Sequence, residues 1–302
     1  MRRQSYLCTS RKANHLKPLA LHEFIRQGSR SGRRWLGRGC FLTLPPGEYK
    51  FLSMSGGVKQ PGIITTELLL RSYSALHARF GSQKWWPART RLEVILGAIL
   101  TQNTAWHNAT LALRNLRGSG LLNWQALQRA SLSDLEARVR PSGFFRQKAR
   151  TIQDFVNWLL REHNGSLDSL FSLPTDELRR RLLSLRGLGP ETVDAIILYA
   201  AQRPLFVADA YTRRVLARHG FLSDSADYKE TQEFLRAHLP PDPSLCNEFH
   251  ALLVEVGKKH CGPRSPNCAG CPLEEFLPER GAVQRLAQVP AGTRSGQGLR
   301  PA

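Results

Sequence analysis

The chain has 302 residues, of which 41% are hydrophobic and 22% are charged. This length and composition favour a soluble globular protein with two modest domains. No segment offers eighteen consecutive apolar residues and no apolar core follows the first basic residues, so neither a membrane span nor a secretory signal is expected. The formal net charge of +19 favours a polyanionic partner, and nucleic acid is the usual one.

Basic residues are concentrated at the N-terminus. Residues 1–60 hold 12 Lys and Arg against 2 Asp and Glu, so +10 of the net charge lies there and +9 remains in the body. Because this segment has weak hydrophobic periodicity, we expect a disordered basic arm over 1–60, and a linker-like, disordered tail over 281–302. Alternatively, residues 1–53 are an upstream extension of a chain that starts at Met54, the only methionine after Met1.

Helical periodicity dominates the body of the chain. Apolar residues recur at helical spacing, and Gly, Pro, Ser and Asp mark the connectors. No run of alternating residues between hairpin turns stands out. The sequence therefore predicts an all-α protein of packed helices. In chain order the predicted helices cover 64–80, two stretches within 91–117 around TQNT, and then 146–163, 174–184, 190–202, 209–218, 227–238 and 245–259.

The stretch LRGLGP, residues 185–190, separates two predicted helices. Pro190 suits a first helical position, where its missing N–H costs nothing. Gly187 and Gly189 permit backbone angles and close approaches that other residues resist. The N–H groups of such a turn, with the N-terminus of the next helix, form an anion site that fits a DNA phosphate. A plain packing corner between two helices is the alternative.

An ordered set of features follows this hairpin: an apolar helix, the stretch FVA and then Asp209 before another helix. The pattern LxGLGxxTxDAIxxYA followed by VxD resembles the helix-hairpin-helix DNA glycosylase superfamily, which includes endonuclease III. The segments QKWWPA (83–88), LEVILGAILTQNT (92–104) and VRPSGFFRQKAR (139–150) further resemble its bacterial 3-methyladenine DNA glycosylase III branch. The likeness covers roughly residues 64–260.

The resemblance implies two helical domains that flank a DNA-binding cleft. A helical barrel domain, 89–204, would contain the hairpin, and a second domain, 61–88 plus 205–280, would contain a Cys-rich loop at 261–277. It also implies a base-excision repair enzyme that acts as a monomer on double-stranded DNA with a damaged base, in the bacterial cytoplasm and without a membrane partner.

Asp209 is the catalytic residue that the resemblance assigns. Its carboxylate would stabilise the oxocarbenium-like state and orient the attacking water. Capping of the following helix is a second, compatible role. Family members that also nick the backbone carry a lysine just past the hairpin, and the matching position here is Glu191. Because a carboxylate cannot form a Schiff base, we expect a monofunctional glycosylase. An endonuclease III-like lyase and a non-catalytic DNA-binding protein are the alternatives.

Aromatic residues are candidates for the pocket that receives the damaged base. An alkylated purine such as 3-methyladenine is cationic, and a cation over an indole gains about 0.5–2 kcal/mol. Trp85 and Trp86 could form such a wall, with Trp106 as a further candidate, although all three could instead anchor loops against the core. By resemblance, Gln102 fills the gap left by the flipped base, where its amide can pair with the orphaned partner. A local turn cap is its alternative role.

Basic side chains near the motifs are candidates for phosphate contacts. Lys148 and Arg150 lie near a predicted helix start, and Arg213 and Arg214 follow Asp209. A solvated charged face would explain these residues equally well.

Cys261, Cys268 and Cys271 lie within eleven residues. Without a secretory signal, this grouping favours a metal or cluster over disulfides. The spacing C-x6-C-x2-C resembles the [4Fe–4S] site of the endonuclease III branch, but the fourth cysteine position falls on Leu277. Cys246 would lie about 20 Å away along a predicted helix, so it is a poor substitute. A cluster with a different fourth ligand, a three-iron cluster and a metal-free vestige all remain open, and any cluster would be structural.

Overall fold

The computed structural model describes residues 41–43, 49–51, 61–83 and 88–283. Helices make up most of these ranges, and the predicted all-α class is confirmed. The helices are α1 (Pro61–Phe80), α2 (Arg91–Leu100), α3 (Trp106–Gly118), α4 (Trp124–Arg129), α5 (Leu132–Val139), α6 (Phe145–His163), α7 (Leu167–Phe171), α8 (Thr175–Leu183), α9 (Pro190–Ala195), α10 (Ala210–Arg218), α11 (Tyr228–His238) and α12 (Pro243–Lys259), with short 3-10 turns at Arg140–Ser142 and Glu274–Phe276.

Side-chain caps explain where many of these helices begin. A capping oxygen accepts a hydrogen bond from one of the first backbone N–H groups, which have no partner inside the helix. Asp227 and Glu230 form a reciprocal capping box at the start of α11. The other side-chain caps are Thr90 for α2, Asn123 for α4, Ser131 for α5, Ser166 for α7, Asp209 for α10 and Asp242 for α12.

The structure differs from the predicted elements in three respects. The short helices α4, α5 and α7 occupy stretches in which no helix was predicted. The predicted helix 190–202 is regular only through α9 and continues as a π turn at Ile196–Ala200. Two short strands, β1 (Phe41–Thr43) and β2 (Tyr49–Phe51), pair antiparallel within the segment predicted to be a disordered arm. The rest of that arm and most of the tail lie outside the described residues.

A buried apolar core runs through the described helices. The helix after the hairpin contributes Val193 and Ile196, while α1 contributes Leu69 and α12 contributes Phe249. The helix α1 packs against α11 and α12, and α10 packs against α12, so the N-terminal helix joins the C-terminal ones. Of the helices described, none is long and apolar enough to cross a membrane.

Asp194, on α9, is fully buried and ties three helices together. Arg179 of α8 donates Nε and Nη2 to its two carboxylate oxygens at 2.7 and 3.1 Å. From α11, the Tyr228 hydroxyl and the Gln232 amide donate to Oδ2 at 2.9 and 2.7 Å. A buried charge is tolerated only when it is paired and hydrogen-bonded. This carboxylate therefore fixes α11 relative to the two helices that flank the hairpin.

We predict that Asp194→Ala lowers the free energy of unfolding by about 3–5 kcal/mol, because it leaves the Arg179 guanidinium without its buried partner. Tyr228→Phe removes one hydrogen bond from the same group and should cost only about 1 kcal/mol. Urea unfolding followed by circular dichroism measures both values. Equal, small losses in the two variants would show that Asp194 does not hold the helices together.

Candidate active site

The hairpin between α8 and α9 places its two glycines in different environments. Gly187 has a φ of +85°, and a Cβ there would meet Thr151 Oγ1 at 2.1 Å. Gly189, directly before α9, has an extended backbone with φ of −86° and ψ of 171°, and a Cβ there would meet nothing within 4 Å. The sequence analysis expected both glycines to permit unusual backbone angles or close approach, and in the structure Gly187 uses both of these properties while Gly189 has ordinary backbone angles. Gly187 is required by the fold, whereas Gly189 leaves open space beside the start of α9.

Gln102 lies in the turn between α2 and α3, as the sequence predicts. Its Nε2 donates to the Gly187 carbonyl at 3.0 Å and to Thr192 Oγ1 at 2.9 Å. The amide thus braces the TQNT turn against the hairpin and the first turn of α9. To pair with an orphaned base it would have to leave these two partners, so its role in the gap stays a prediction.

Asp209 caps α10 and also faces a histidine. Its Oδ1 accepts the backbone N–H of Thr212 at 2.8 Å, and its Oδ2 lies 3.6 Å from His250 Nε2. The side chain is 14% exposed. Burial opposes ionisation, but the adjacent His250 imidazole and the hydrogen bond from the Thr212 N–H outweigh it and hold the pKa of Asp209 below its usual range. The carboxylate is therefore kept charged with one oxygen engaged in the cap.

His250 and Tyr199 belong to this site, and the sequence analysis missed both. His250 lies on α12 with a side chain that is only 6% exposed, and Tyr199 lies in the π turn that continues α9. The Tyr199 hydroxyl is hydrogen-bonded to His250 Nδ1. Burial and the nearby Asp209 charge raise the pKa of Tyr199 well above its usual value, which keeps the hydroxyl protonated. A phenol that donates to Nδ1 leaves the Nε2 hydrogen directed at Asp209.

Glu191, in the first turn of α9, is the second carboxyl group beside Asp209. Glu191 is an exposed residue. Partial desolvation of its carboxyl group and the Asp209 charge nevertheless raise its pKa, against the smaller opposing effects of His250 and Arg213. Two neighbouring carboxylates disfavour double ionisation, so their pKa values move apart. The site thus pairs a carboxylate that stays charged with one that protonates more readily.

Lys148 and Arg150, the two candidate phosphate contacts after the SGFF stretch, lie in different environments in the structure. Lys148 is buried, and its Nζ donates to the carbonyls of Leu100 at 2.8 Å and Ser142 at 2.6 Å. Burial lowers the pKa of Lys148 to about 8. The predicted phosphate contact is therefore corrected: this amine holds α6 to the end of α2. Arg150 is exposed, and its phosphate contact stays a prediction.

Phe144 was not singled out by the sequence analysis, although it lies next to these residues. It is 66% exposed and has a φ of +46°, which is unusual for a bulky residue. Strained, exposed positions of this kind occur at binding and active sites more often than elsewhere. The two consecutive phenylalanines after a glycine were the available signal.

The pocket tryptophans are only partly described. Trp85 and Trp86 lie outside the described residues, and Trp106 is half-buried against the core at the start of α3. A cavity of about 720 Å³ is lined by Ala88, which follows the pair, and by Tyr199 and Glu248. Before the pair, the backbone N–H of Gln83 donates to Glu248 Oε1 at 2.6 Å. Ala88 therefore lies at this cavity, and Gln83 contacts one of its lining residues.

The Cys-rich loop packs against α10 and α12. Cys261, Cys268 and Cys271 line one narrow hollow together with Leu277, which occupies the place of a fourth cysteine. Burial, with a smaller contribution from the other two thiols, raises the pKa of Cys271. In the described ranges, no three His, Cys, Asp or Glu side chains converge closely enough to hold a single metal ion.

Arginines of α10 hold the Cys-rich loop in place. Arg218 Nη1 donates to Cys261 Sγ at 3.3 Å and to the Gly262 carbonyl at 2.6 Å. Arg214 donates to the carbonyls of Cys261 at 2.7 Å and Gly257 at 3.2 Å, so its predicted phosphate contact is replaced by a structural one. Arg213 is exposed and its contact with phosphate stays a prediction.

Comparison with known proteins gives the family. Residues 96–241 match the model of the HhH-GPD superfamily base excision DNA repair proteins. The chain is 39% identical over 212 residues to the "Putative DNA repair glycosylase MJ1434" of Methanocaldococcus jannaschii, which covers 70% of this chain and 96% of that protein. It is 28% identical over 189 residues to Endonuclease III of Sulfolobus acidocaldarius, over 62% of this chain and 82% of that one. The chain therefore belongs to the HhH-GPD superfamily.

Solved structures agree with this assignment. The H. pylori 3-methyladenine DNA glycosylase (MagIII) bound to 1,N6-ethenoadenine is 28% identical, with a TM-score of 0.56 over 65% of this chain and 97% of that one. A non-covalent Endonuclease III-DNA complex shares the fold with a TM-score of 0.61 at 22% identity, over 73% and 97% of the two chains. The predicted resemblance and the predicted enzyme class, a DNA N-glycosylase, are confirmed, and DNA is its partner.

We predict that Gly187→Ala lowers the free energy of unfolding by about 2–4 kcal/mol, because Ala is strained at this φ and its methyl group collides with Thr151. The matched variant Gly189→Ala should lose less than about 1 kcal/mol. If the space beside Gly189 receives a phosphate, the second variant should still bind duplex DNA more weakly. Urea unfolding and fluorescence anisotropy measure the two effects, and the reverse order of stability would contradict the assignment.

We predict that Glu191→Gln and Asp209→Asn have opposite effects on stability. A carboxyl with a raised folded-state pKa loses stability as pH rises through its range, so Glu191→Gln should raise the melting temperature at neutral pH. A carboxyl with a lowered folded-state pKa stabilises the folded protein above its unfolded pKa, and this stabilisation is lost as pH falls. Asp209→Asn should therefore lower the melting temperature at neutral pH. Thermal scans from acid to neutral pH test this, and effects of the same sign would contradict the assigned charge states.

Proposed function

We propose that this protein is a monofunctional DNA glycosylase that hydrolyses the N-glycosidic bond of alkylated purines. The observation that carries the proposal is a pair of neighbouring carboxyl groups. Asp209, at the start of α10, is held charged, and Glu191, just after the hairpin, occupies the position where lyases of the family carry a lysine. The finding of a base excision repair family supports the reaction class, and the residues at the site support the finer details.

Asp209 performs the central step. As the bond to a flipped base breaks, positive charge grows on the sugar, and a nearby carboxylate stabilises it. Thr212 holds one oxygen through the helix cap, and His250 approaches the other at 3.6 Å. Because these contacts fix the carboxylate before the substrate binds, little reorganisation accompanies the reaction. The oxygen facing His250 also orients the attacking water.

Among the described residues, the two lysines nearest to Glu191 in sequence lie away from Asp209, which supports hydrolysis over strand cleavage. A lyase needs an amine that attacks C1′ of the sugar and forms an imine. Lys148 is fixed in the interior by two carbonyls, and Lys229 lies on α11 with its Nζ 3.9 Å from Glu233. Neither amine belongs to the site. Water is therefore the nucleophile, and the product is an abasic site with both strands intact.

The substrate class rests on the aromatic pocket. Ala88 lines the cavity together with Tyr199 and Glu248, and the Gln83 backbone N–H contacts Glu248. The indoles of Trp85 and Trp86, if they form the aromatic wall that the sequence predicts, favour a cationic, alkylated base over a neutral one. Similarity to the H. pylori 3-methyladenine DNA glycosylase, at 28% identity, points to the same class.

In this proposal DNA binds at the boundary between two domains. We assign the first to residues 89–204 and the second to 61–88 plus 205–280, so the hairpin and Asp209 lie on either side of their boundary. The start of α9 beside Gly189 takes a backbone phosphate, Arg150 takes another, and the exposed Phe144 inserts between base pairs of the duplex as an apolar wedge. The enzyme acts as a monomer in the bacterial cytoplasm.

An endonuclease III-like glycosylase with lyase activity is the second candidate function. Similarity to Endonuclease III of Sulfolobus acidocaldarius, at 28% identity, and the three cysteines of the Cys-rich loop favour it. Glu191 is the observation against it. A non-catalytic DNA-binding protein remains the alternative if no base is released.

We predict that the protein releases methylated bases from alkylated duplex DNA and that Asp209→Asn slows this release at least about 100-fold. Asparagine retains the capping oxygen, so the fold should persist and DNA binding should remain. Mass spectrometry identifies the released bases, and gel electrophoresis with and without alkali reports strand cleavage. Asp224→Asn, the same substitution at an exposed aspartate between α10 and α11, is the matched control.

Each outcome decides one part of the proposal. Base release at the parental rate by Asp209→Asn would remove the catalytic role of Asp209. Strand cleavage without alkali, or a covalent complex trapped by borohydride, would favour the lyase. Failure of the parent protein to release any base would favour a binding-only function.

A further inference from the structure

The hollow of the Cys-rich loop contains a histidine as well as three thiols. His260 ends α12 and directly precedes Cys261 in sequence. It lines the same hollow as the three cysteines. Its Nδ1 is buried and, within the part of the chain that the structure describes, accepts and donates no hydrogen bond. A buried imidazole nitrogen without a partner is costly, and it is therefore a candidate for a ligand.

The other groups around the hollow are already engaged or cannot bind. His219 places Nδ1 2.7 Å from the Val215 carbonyl and Nε2 3.3 Å from the Leu273 carbonyl. Glu274 Oε2 accepts the backbone N–H of Gly270 at 3.1 Å. Leu277 has no donor atom. Only His260 among these four presents a nitrogen that nothing else in the described structure uses.

We propose that His260 Nδ1 replaces the missing fourth cysteine and completes a Cys3His ligand set for an iron–sulfur cluster with Cys261, Cys268 and Cys271. The side chains do not converge on a single ion, which disfavours zinc. A cluster spans a larger volume because each ligand binds a different iron. Arg218, which donates to Cys261 Sγ at 3.3 Å, offsets the negative charge that thiolates and cluster add.

The neutral imidazole has a measurable consequence. Replacement of thiolates by histidine raises the reduction potential of a cluster, because the ligand set carries less negative charge. A Cys3His cluster here should therefore have a higher potential than the same cluster with four cysteines. The cluster has a structural role in holding the loop against α10 and α12, and it takes no part in the bond cleavage proposed above.

The test uses the full chain, expressed with added iron and purified without oxygen. We expect about four irons and four sulfides per chain, with a brown colour and visible absorption. Growth with ¹⁵N-histidine and pulsed electron paramagnetic resonance of the reduced cluster should reveal nitrogen bound to iron. His260→Ala should lose iron to a chelator at least about tenfold faster. His260→Cys should retain the cluster and lower its potential, while His107→Ala, an exposed control, should change neither property.

Several results would overturn the proposal. These are zinc in place of iron, no bound metal, a three-iron cluster in the unaltered chain, or the absence of nitrogen coupling. Equal iron retention by His260→Ala would do the same. Circular dichroism checks that each variant is folded. If His260→Ala does not fold, the nitrogen coupling in the unaltered chain and the potential of His260→Cys still decide the question.

Discussion

The charge on Asp209 is the constraint around which the site is arranged. A largely buried carboxylate prefers to be neutral, so it remains charged only where donors compensate for the lost water. Here the compensation comes from two elements far apart in sequence: the N-terminus of α10, through Thr212, and α12, through His250. Because Tyr199 holds the other side of that histidine, the π turn after the hairpin also takes part. The charge on this proposed catalytic carboxylate therefore depends on the packing of three helical elements.

Polar contacts of different kinds hold the hairpin against the neighbouring helices. Gln102 braces the hairpin from the α2–α3 turn, and Gly187 allows Thr151 of α6 to approach closely. Asp194 fixes the helix after the hairpin to α8 and α11. A phosphate bound beside Gly189 would thus lie at a set distance from Asp209. Such pre-organisation is what a glycosylase needs, since a flipped sugar must arrive at the carboxylate without further rearrangement.

The loop after α12 has three cysteines at the spacing of a cluster site and a leucine in the fourth place. Cys261, Cys268 and Cys271 face one hollow, and Arg214 and Arg218 fix the loop to α10 whether or not a cluster is present. Leu277 at the fourth position offers no thiolate, while His260, with its buried and unpartnered Nδ1, lines the same hollow. The loop thus has structural support of its own, which explains why the loss of a single cysteine need not destroy it.

The sequence by itself determined the helical class, the hairpin and the position of Asp209, because periodicity, glycine spacing and a helix-capping residue are local features. In the structure, Asn123, Ser131 and Ser166 cap the three helices that were not predicted, and these helices have at most eight residues, which is too short for a clear period. Only the tertiary structure decided that Lys148 is interior, that Gly189 has ordinary backbone angles and that His250 faces Asp209. Burial and pairing depend on which distant segments pack together, and no local pattern marks a lone histidine or lysine for either fate.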